Sequence, residues 1–300
     1  MPLMLDSRSS TSSPAASRTV GHLVISPATV HDVRRLADIE FHAFEGERIN
    51  QQLSYRDYTK PEHFERTVSS YAKCLGDPDS FDSQPKHANR PRSDSKALEP
   101  AKSTSTISFL KVTDTETDEI LSFAKTEIKQ YSQEELIQPA DVGHEDEPQM
   151  NRDWFALNER LRRGYVGLAK HCCESSMSAK HMASLKILTK RPDIGMLATQ
   201  PCYQHNGAGT MLLNIVLTEA DEAGVEVILE STDTAKPLYE RHGFVAVTEI
   251  RFSPAAYGVY GLGTERQTVM VRGALNENGQ RREVKAWGKA MGQTSAVSSM

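Results

Sequence analysis

Apolar positions along the chain fall into short runs separated by polar stretches, and the period of each run indicates its element. "HLVIS" (His22 to Ser26) reads as a strand. In "PATVHDVRRLADIEFHAF" the residues Val30, Val33, Leu36, Ala37, Phe41 and Phe44 recur near helical spacing, which predicts a helix with one face turned inward. Thr29 followed by Asp32 resembles a capping box with Asp in place of Glu at the start of that helix. A second helix is predicted over Pro61 to Leu75. Thr104 to Lys129 carries two β-branched and aromatic runs around the polar turn Asp114 to Asp118, the pattern of a hairpin. The acidic stretch from Gln130 to Met150 reads as a solvated loop, and Asp153 to Thr189 as helical, with Phe155, Leu157, Leu161, Val166 and Leu168 apolar and no proline until Pro192.

The last third of the chain is the most sharply punctuated. Asp193 to Thr199 predicts a strand, residues 200–206 a turn, and Gly207 to Ala223 a helix stopped by Gly224. Val225 to Glu230 alternates as a strand, and Thr234 to His242 is a short helix that tolerates Pro237 in its first turn and ends at Gly243. "FVAVTEIRF" and "RQTVMVR" supply two final strands.

Composition limits what surrounds this pattern. Within 300 residues, 38% hydrophobic content and a mean hydropathy of -0.50 suit one core with much polar chain attached. Residues 1–19 are Ser-rich, with Arg8 and Arg18 against the single acid Asp6, and read as a disordered tail or a transit peptide. Residues 76–103, rich in Pro, Ser and Asp, read as a flexible insert, and residues 274–300 as a polar tail in which Trp287 touches the body. The expected domain therefore spans residues 20–273. A net charge of -5 supplies no basic field for nucleic acid, and no run of about 18 apolar residues could span a bilayer. The four cysteines, Cys74, Cys172, Cys173 and Cys202, lack the paired spacing of a metal or disulfide framework. They are expected to be reduced thiols of a cytoplasmic protein without a metal site.

The candidate chemistry lies in the turn "QHNGAG", Gln204 to Gly209. Gly207 and Gly209 open a helix directly after a strand, where unpaired N–H groups and the positive end of the helix dipole form a phosphate site. A P-loop would need Gly-Lys-Ser/Thr, whereas the sequence has Gly209-Thr210-Met211. A dinucleotide fold, and with it an oxidoreductase, is the nearer rival. Gly207, Gly209 and Glu230 copy part of its fingerprint, but Leu212 replaces the third glycine. The fingerprint also lies too near the end of the foldable chain to leave room for a second βαβ half.

The same turn matches the Q/R-x-x-G-x-G/A signature of the GNAT family of N-acetyltransferases, and "AKPLYERHGF" (Ala235 to Phe244) resembles that family's A-x-x-L-Y-x-x-x-G-F motif. The resemblance extends in element order from Val20 to Gly273, with specific motifs confined to Asp193 to Phe252, and is similar to a variant common in fungal proteins. It implies an α/β fold with a mixed, mostly antiparallel central sheet flanked by helices. It further implies acetyl-CoA as co-substrate, with direct transfer of acetyl to an amine. Met196, Leu197, Ala198 and Thr199 would pair with pantetheine, and the amides of Gln204, His205, Asn206, Gly207, Ala208, Gly209 and Thr210 would hold the pyrophosphate. Tyr239 takes the place of the family's general acid, a phenol able to protonate the departing thiolate. Glu230 and Glu127 are the candidate general bases.

Asn206 and Thr232 depart from the family, standing where many members have a basic residue and Asn. Cys202 has no His placed to activate it as an acyl carrier. Expected acceptors are a small-molecule amine or a protein amine, walled by Gly46 to Tyr58 and by Ser253 to Arg266, where Tyr257 and Tyr260 would form a mobile lid. A non-catalytic acyl-CoA-binding sensor is the other class the turn allows.

Overall fold

The alternating runs pair into one sheet of seven strands, described together with its helices from a computed structural model at residues 20–47, 52–54, 61–76, 104–130, 136, 148–174 and 191–287. The strands are β1 (Leu23–Pro27), β2 (Thr104–Asp114), β3 (Glu119–Gln130), β4 (Arg191–Thr199), β5 (Val227–Ser231), β6 (Val245–Phe252) and β7 (Glu265–Arg272). They lie in the order β1-β2-β3-β4-β5-β7-β6. Every neighbour is antiparallel except β4 and β5, so the sheet is mixed and mostly antiparallel, as expected. The helices are α1 (Val33–Ala43), α2 (Pro61–Cys74), α3 (Gln149–Glu174), α4 (Ala208–Glu222) and α5 (Lys236–Arg241).

Period-two alternation decides which helix covers which face. On one face α1 and α2 bury Leu36, Ile39 and Tyr71 against Phe109, Phe123 and Ala198 of β2, β3 and β4. On that same face α3 buries Trp154 and Leu161 against Ile228, Val269 and Val271 of β5 and β7. The neighbouring strand positions Val227, Leu229 and Met270 point the other way, onto Leu213, Val216 and Leu217 of α4 and Tyr239 of α5. With both faces covered, Val227, Ile228 and Leu229 are all buried, so β5 reads as a continuous apolar run. The hairpin turns where its polar residues allow: the Glu116 N–H donates to Asp114 Oδ1 at 2.9 Å, and Asp118 takes a left-handed φ of 59°.

Two boundaries differ from the sequence reading. Helix α3 starts at Gln149, inside the segment read as an acidic loop, and residues 175–190 of the helix predicted there lie outside the described residues. The fold also does not stop at Gly273. Ala274 is 2% exposed, Leu275 bridges to Arg281, and the Trp287 N–H donates to the Val247 carbonyl at 3.1 Å while its ring stacks on Tyr165. One charge of this stretch is anchored: Arg281 holds Asp221 on α4 at 2.9 Å, beside Arg272 of β7 at 2.7 Å. Gly273 permits the close return, because a Cβ there would meet the Arg282 carbonyl oxygen at 2.1 Å. The expected N-terminal tail (1–19), the body of the expected insert (77–103) and residues 288–300 lie outside the described residues.

Candidate active site

Strands β4 and β5 meet at a single registered pair, Asp193 with Ile228, and part beyond it. On the other side of β4, a register shift between Lys125 and Thr126 of β3 leaves Gly195 without a partner. The sheet therefore opens into a cleft with cavities on both faces. One, of about 620 Å³, lies between the end of α1 and α3, and the other, of about 670 Å³, lies between the start of α4 and α5. Phe44, Leu197, Thr232, Ala235 and Tyr239 line both, so the two meet there.

The glycine turn forms the wall of the second cavity. Gly207 is the N-cap of α4 with φ 85°, reached through His205 at φ 63°, and the first helical bond runs from the Met211 N–H to the Gly207 carbonyl. The N–H groups of Ala208, Gly209 and Thr210 consequently have no acceptor within the helix and stand where the dipole favours an anion. A Cβ on Gly209 would come within 3.3 Å of Thr199 Oγ1, which Ser122 Oγ already holds at 2.8 Å. Leu197, Ala198, Thr199, Gln204, His205, Gly207, Ala208, Gly209 and Thr210 all line this cavity. Met196 lines the first, and Asn206 lines neither. Arg241 adds a cation to the second cavity that the sequence reading had not included. Thr232 is occupied in shaping α5: its hydroxyl accepts the Ala235 N–H at 3.4 Å and its carbonyl the Lys236 N–H at 3.1 Å.

Tyr239 sits on the sheet-facing side of α5, 6% exposed, with its ring edge-on to Phe244 at 5.6 Å. Burial pushes its phenol up to about 12, so the hydroxyl stays protonated and able to donate at the junction of the cavities.

Three carboxylates gather across the cleft on the α3 side. The β3–β4 register sets Glu127 opposite Asp193, and Arg162 reaches down from α3 between Asp193 and Glu230. Its Nε lies 3.1 Å from Asp193 Oδ2, and it holds both oxygens of Glu230 at 3.1 Å and 2.9 Å. Asp193 Oδ1 has no hydrogen-bond partner among the described residues. Burial outweighs the attraction of Arg162 and, helped by the charges of Glu230 and Glu127, pushes the Asp193 carboxyl up to about 7. The sequence reading took Asp193 only as the start of a strand. Its position just before the phosphate turn was visible, but its burial and its Arg162 partner depend on a helix about thirty residues earlier.

The expected lid is built differently. Tyr257 closes a 3-10 turn, Pro254–Tyr257, stacks on Phe252 at 5.5 Å and donates to Asp153 Oδ2 at 2.7 Å, which pins it to α3. Tyr260 is 80% exposed, and neither tyrosine lines the cavities. The aromatic and glycine content that suggested mobility instead serves a stacked turn with Gly258 at φ 78°. From the other expected wall, Ser54 and Glu47 each line one cavity, while residues 48–51 and 55–60 lie outside the described residues. Cys74 and Cys202 are free thiols, and Cys202 is exposed beside the turn. Among the described residues no His, Cys, Asp and Glu are grouped to hold a metal, and no helix is long and apolar enough to cross a membrane.

The sheet splits beside a glycine-capped helix, with a buried phenol and a buried carboxyl flanking the gap. Residues 154–254 match the family described as acetyltransferase (GNAT) domain, and by that match the chain is an acyltransferase by class. The match covers roughly a third of the chain, from α3 through β6. Similar solved structures include mosquito arylalkylamine N-acetyltransferase like 5b, at 11% identity and TM-score 0.47, covering 83% of this chain and 98% of that one. Another is the Corynebacterium glutamicum histone acetyltransferase HPA2 and related acetyltransferase, at 13% identity and TM-score 0.44, covering 88% and 98%. A third is yncA from Salmonella typhimurium with its cofactor acetyl-CoA, at 12% identity and TM-score 0.42, covering 88% and 100%. No curated protein matches the chain.

Proposed function

We propose that the protein transfers acetyl from acetyl-CoA directly to a primary amine, with the donor in the α4/α5 cavity and the acceptor in the α1/α3 cavity. The observation that carries this reading is that the anion-binding turn opens into a cavity joined, at Tyr239, to a second one holding the unpaired oxygen of Asp193. The amides of Ala208, Gly209 and Thr210 bind the pyrophosphate, and His205 and Arg241 offset the charge missing at Asn206. The edge of β4 that β5 leaves unpaired offers main-chain groups at Met196, Leu197, Ala198 and Thr199 to the pantetheine amides.

Asp193, ionised above its pKa near 7, accepts the proton from the amine as the nitrogen bonds to the acetyl carbon. The carbon–sulfur bond breaks as Tyr239 gives its phenol proton to the sulfur, and solvent returns one proton to Tyr239 and removes the other from Asp193. Glu230, proposed from sequence as a base, acts in this scheme through Arg162, which it holds in place with two hydrogen bonds. Cytoplasmic residence is likewise our reading, supported by the free thiols of Cys74 and Cys202.

Calorimetric titration tests the donor side. Acetyl-CoA should bind the wild type far more tightly than NADH, and Gly207→Val, which forces a β-branched residue to φ 85°, should weaken acetyl-CoA binding tenfold or more while leaving the protein folded. NADH binding the more tightly, or Gly207→Val binding acetyl-CoA as the wild type does, would overturn the assignment.

A further inference from the structure

The cavity between α1 and α3 contains two buried oxygen acceptors to which no described residue donates. Asn158, 8% exposed, donates from Nδ2 to the Trp154 carbonyl at 3.1 Å. That bond fixes the amide's orientation, because flipping it would set oxygen against oxygen. Its Oδ1 is then left without a partner, as is Oδ1 of Asp193, itself 9% exposed. Both residues line the cavity. A buried acceptor with no donor carries the full cost of its desolvation, so each oxygen favours a ligand that brings an N–H to it.

The charge of the cavity points the same way. Its lining carries Glu127, Asp193 and Glu230 against Lys125 and Arg162, besides Glu159, which Arg163 pairs at 2.9 Å. The Lys125 ammonium lies over the rings of Tyr71 and Phe109, at 5.7 Å and 5.9 Å from their centroids. The excess of carboxylate favours a cation and disfavours an acceptor that bears its own carboxylate. Spacing follows from the helix. Asn158 and Arg162 are one turn apart on α3, about 6 Å along its axis, and Arg162 is the residue that grips Asp193.

Resting on the acetyl-transfer reading, we propose that the acceptor is a small cationic amine carrying a second N–H donor about one helical turn from the reacting nitrogen. Asp193 receives the reacting amine, and Asn158 Oδ1 receives the second donor, on the side of Trp154 and Phe155. Asn158 is then the residue that sets acceptor specificity.

The test compares 1,4-diaminobutane, 1-aminobutane and 4-aminobutanoate by CoA release from acetyl-CoA, and the two butylamines by calorimetry in the presence of CoA. The wild type should use and bind the diamine at least about tenfold better than the monoamine, with the amino acid poorest. In Asn158→Leu the diamine-to-monoamine ratio should fall to within about twofold, chiefly through KM, whereas Asn158→Asp should keep or enlarge it. CoA release that does not distinguish diamine from monoamine, or a ratio that survives Asn158→Leu, would overturn the inference and leave acetyl transfer standing. Selective diamine binding, lost in Asn158→Leu, with no CoA release from any amine would overturn acetyl transfer and support the recognition of a two-donor amine.

Discussion

Arg162→Met removes the one cation that grips both Asp193 and Glu230, and its effect on stability should depend on pH in a way that a simple packing defect would not. The pair side chains are 12% and 10% exposed and Arg162 29%, so solvent screens them little. In the wild type at pH 5, Asp193 is already protonated, since its pKa is raised to about 7, and makes little use of the guanidinium. Without Arg162 the protonated Asp193 loses little at that pH, about 1 kcal/mol as for one lost hydrogen bond. At pH 8 neither choice is cheap: Asp193 must stay ionised without its partner or hold a proton far above its unfolded pKa.

Breaking a buried pair from one side then costs about 3–5 kcal/mol. The sign follows from proton binding: between about pH 4 and the raised pKa of Asp193 the folded variant binds more protons than the unfolded chain, so its stability falls as pH rises through that window. Thermal unfolding should show a deficit of roughly 2–4 °C at pH 5 widening to roughly 6–20 °C at pH 8. A deficit that is the same at both pH values would show that Arg162 acts through packing alone and would refute the account of this cluster.

Asp193→Asn should lower kcat/KM for acetyl transfer by about 10²-fold or more and abolish the rise in rate through pH 7, checked by a pH–rate profile; a variant retaining that rise would exonerate the residue. Tyr239→Phe should lower kcat about tenfold to 10²-fold with the Kd for acetyl-CoA near that of the wild type, measured by steady-state kinetics and calorimetry; parallel loss of affinity would make the phenol a binding group. Truncation after Gly279 removes Arg281 and Trp287 and should destabilise the fold by about 2–4 kcal/mol, read by denaturant unfolding, whereas an unchanged midpoint would mean that the segment is only laid on the surface.

Much of this fold was legible because its elements are local statements. The capping residues Thr29 and Asp32, the polar turn between β2 and β3, and the glycines after α4 and α5 each announce a boundary through backbone chemistry within a few residues. Gly207 and Gly209 were readable for the same reason. What escaped depends on partners distant in the chain. Asp193, read as the start of a strand, lies buried beside Arg162 of α3, and the charged segment after Gly273, which composition assigned to a tail, joins the fold through Asp221 on α4. Tyr257 shows the converse error, since a loop rich in glycine and aromatics was read as mobile while its tyrosine is stacked and hydrogen-bonded in place.

Turnover tests the central claim most directly. Free CoA should accumulate from acetyl-CoA only when a primary amine is supplied, in amounts equal to the acetylated amine recovered by mass spectrometry, and its rate should rise through pH 7. Tight binding of acetyl-CoA with no amine-dependent release of CoA across a panel of small amines and peptide N-termini would contradict it and make the protein an acyl-CoA sensor.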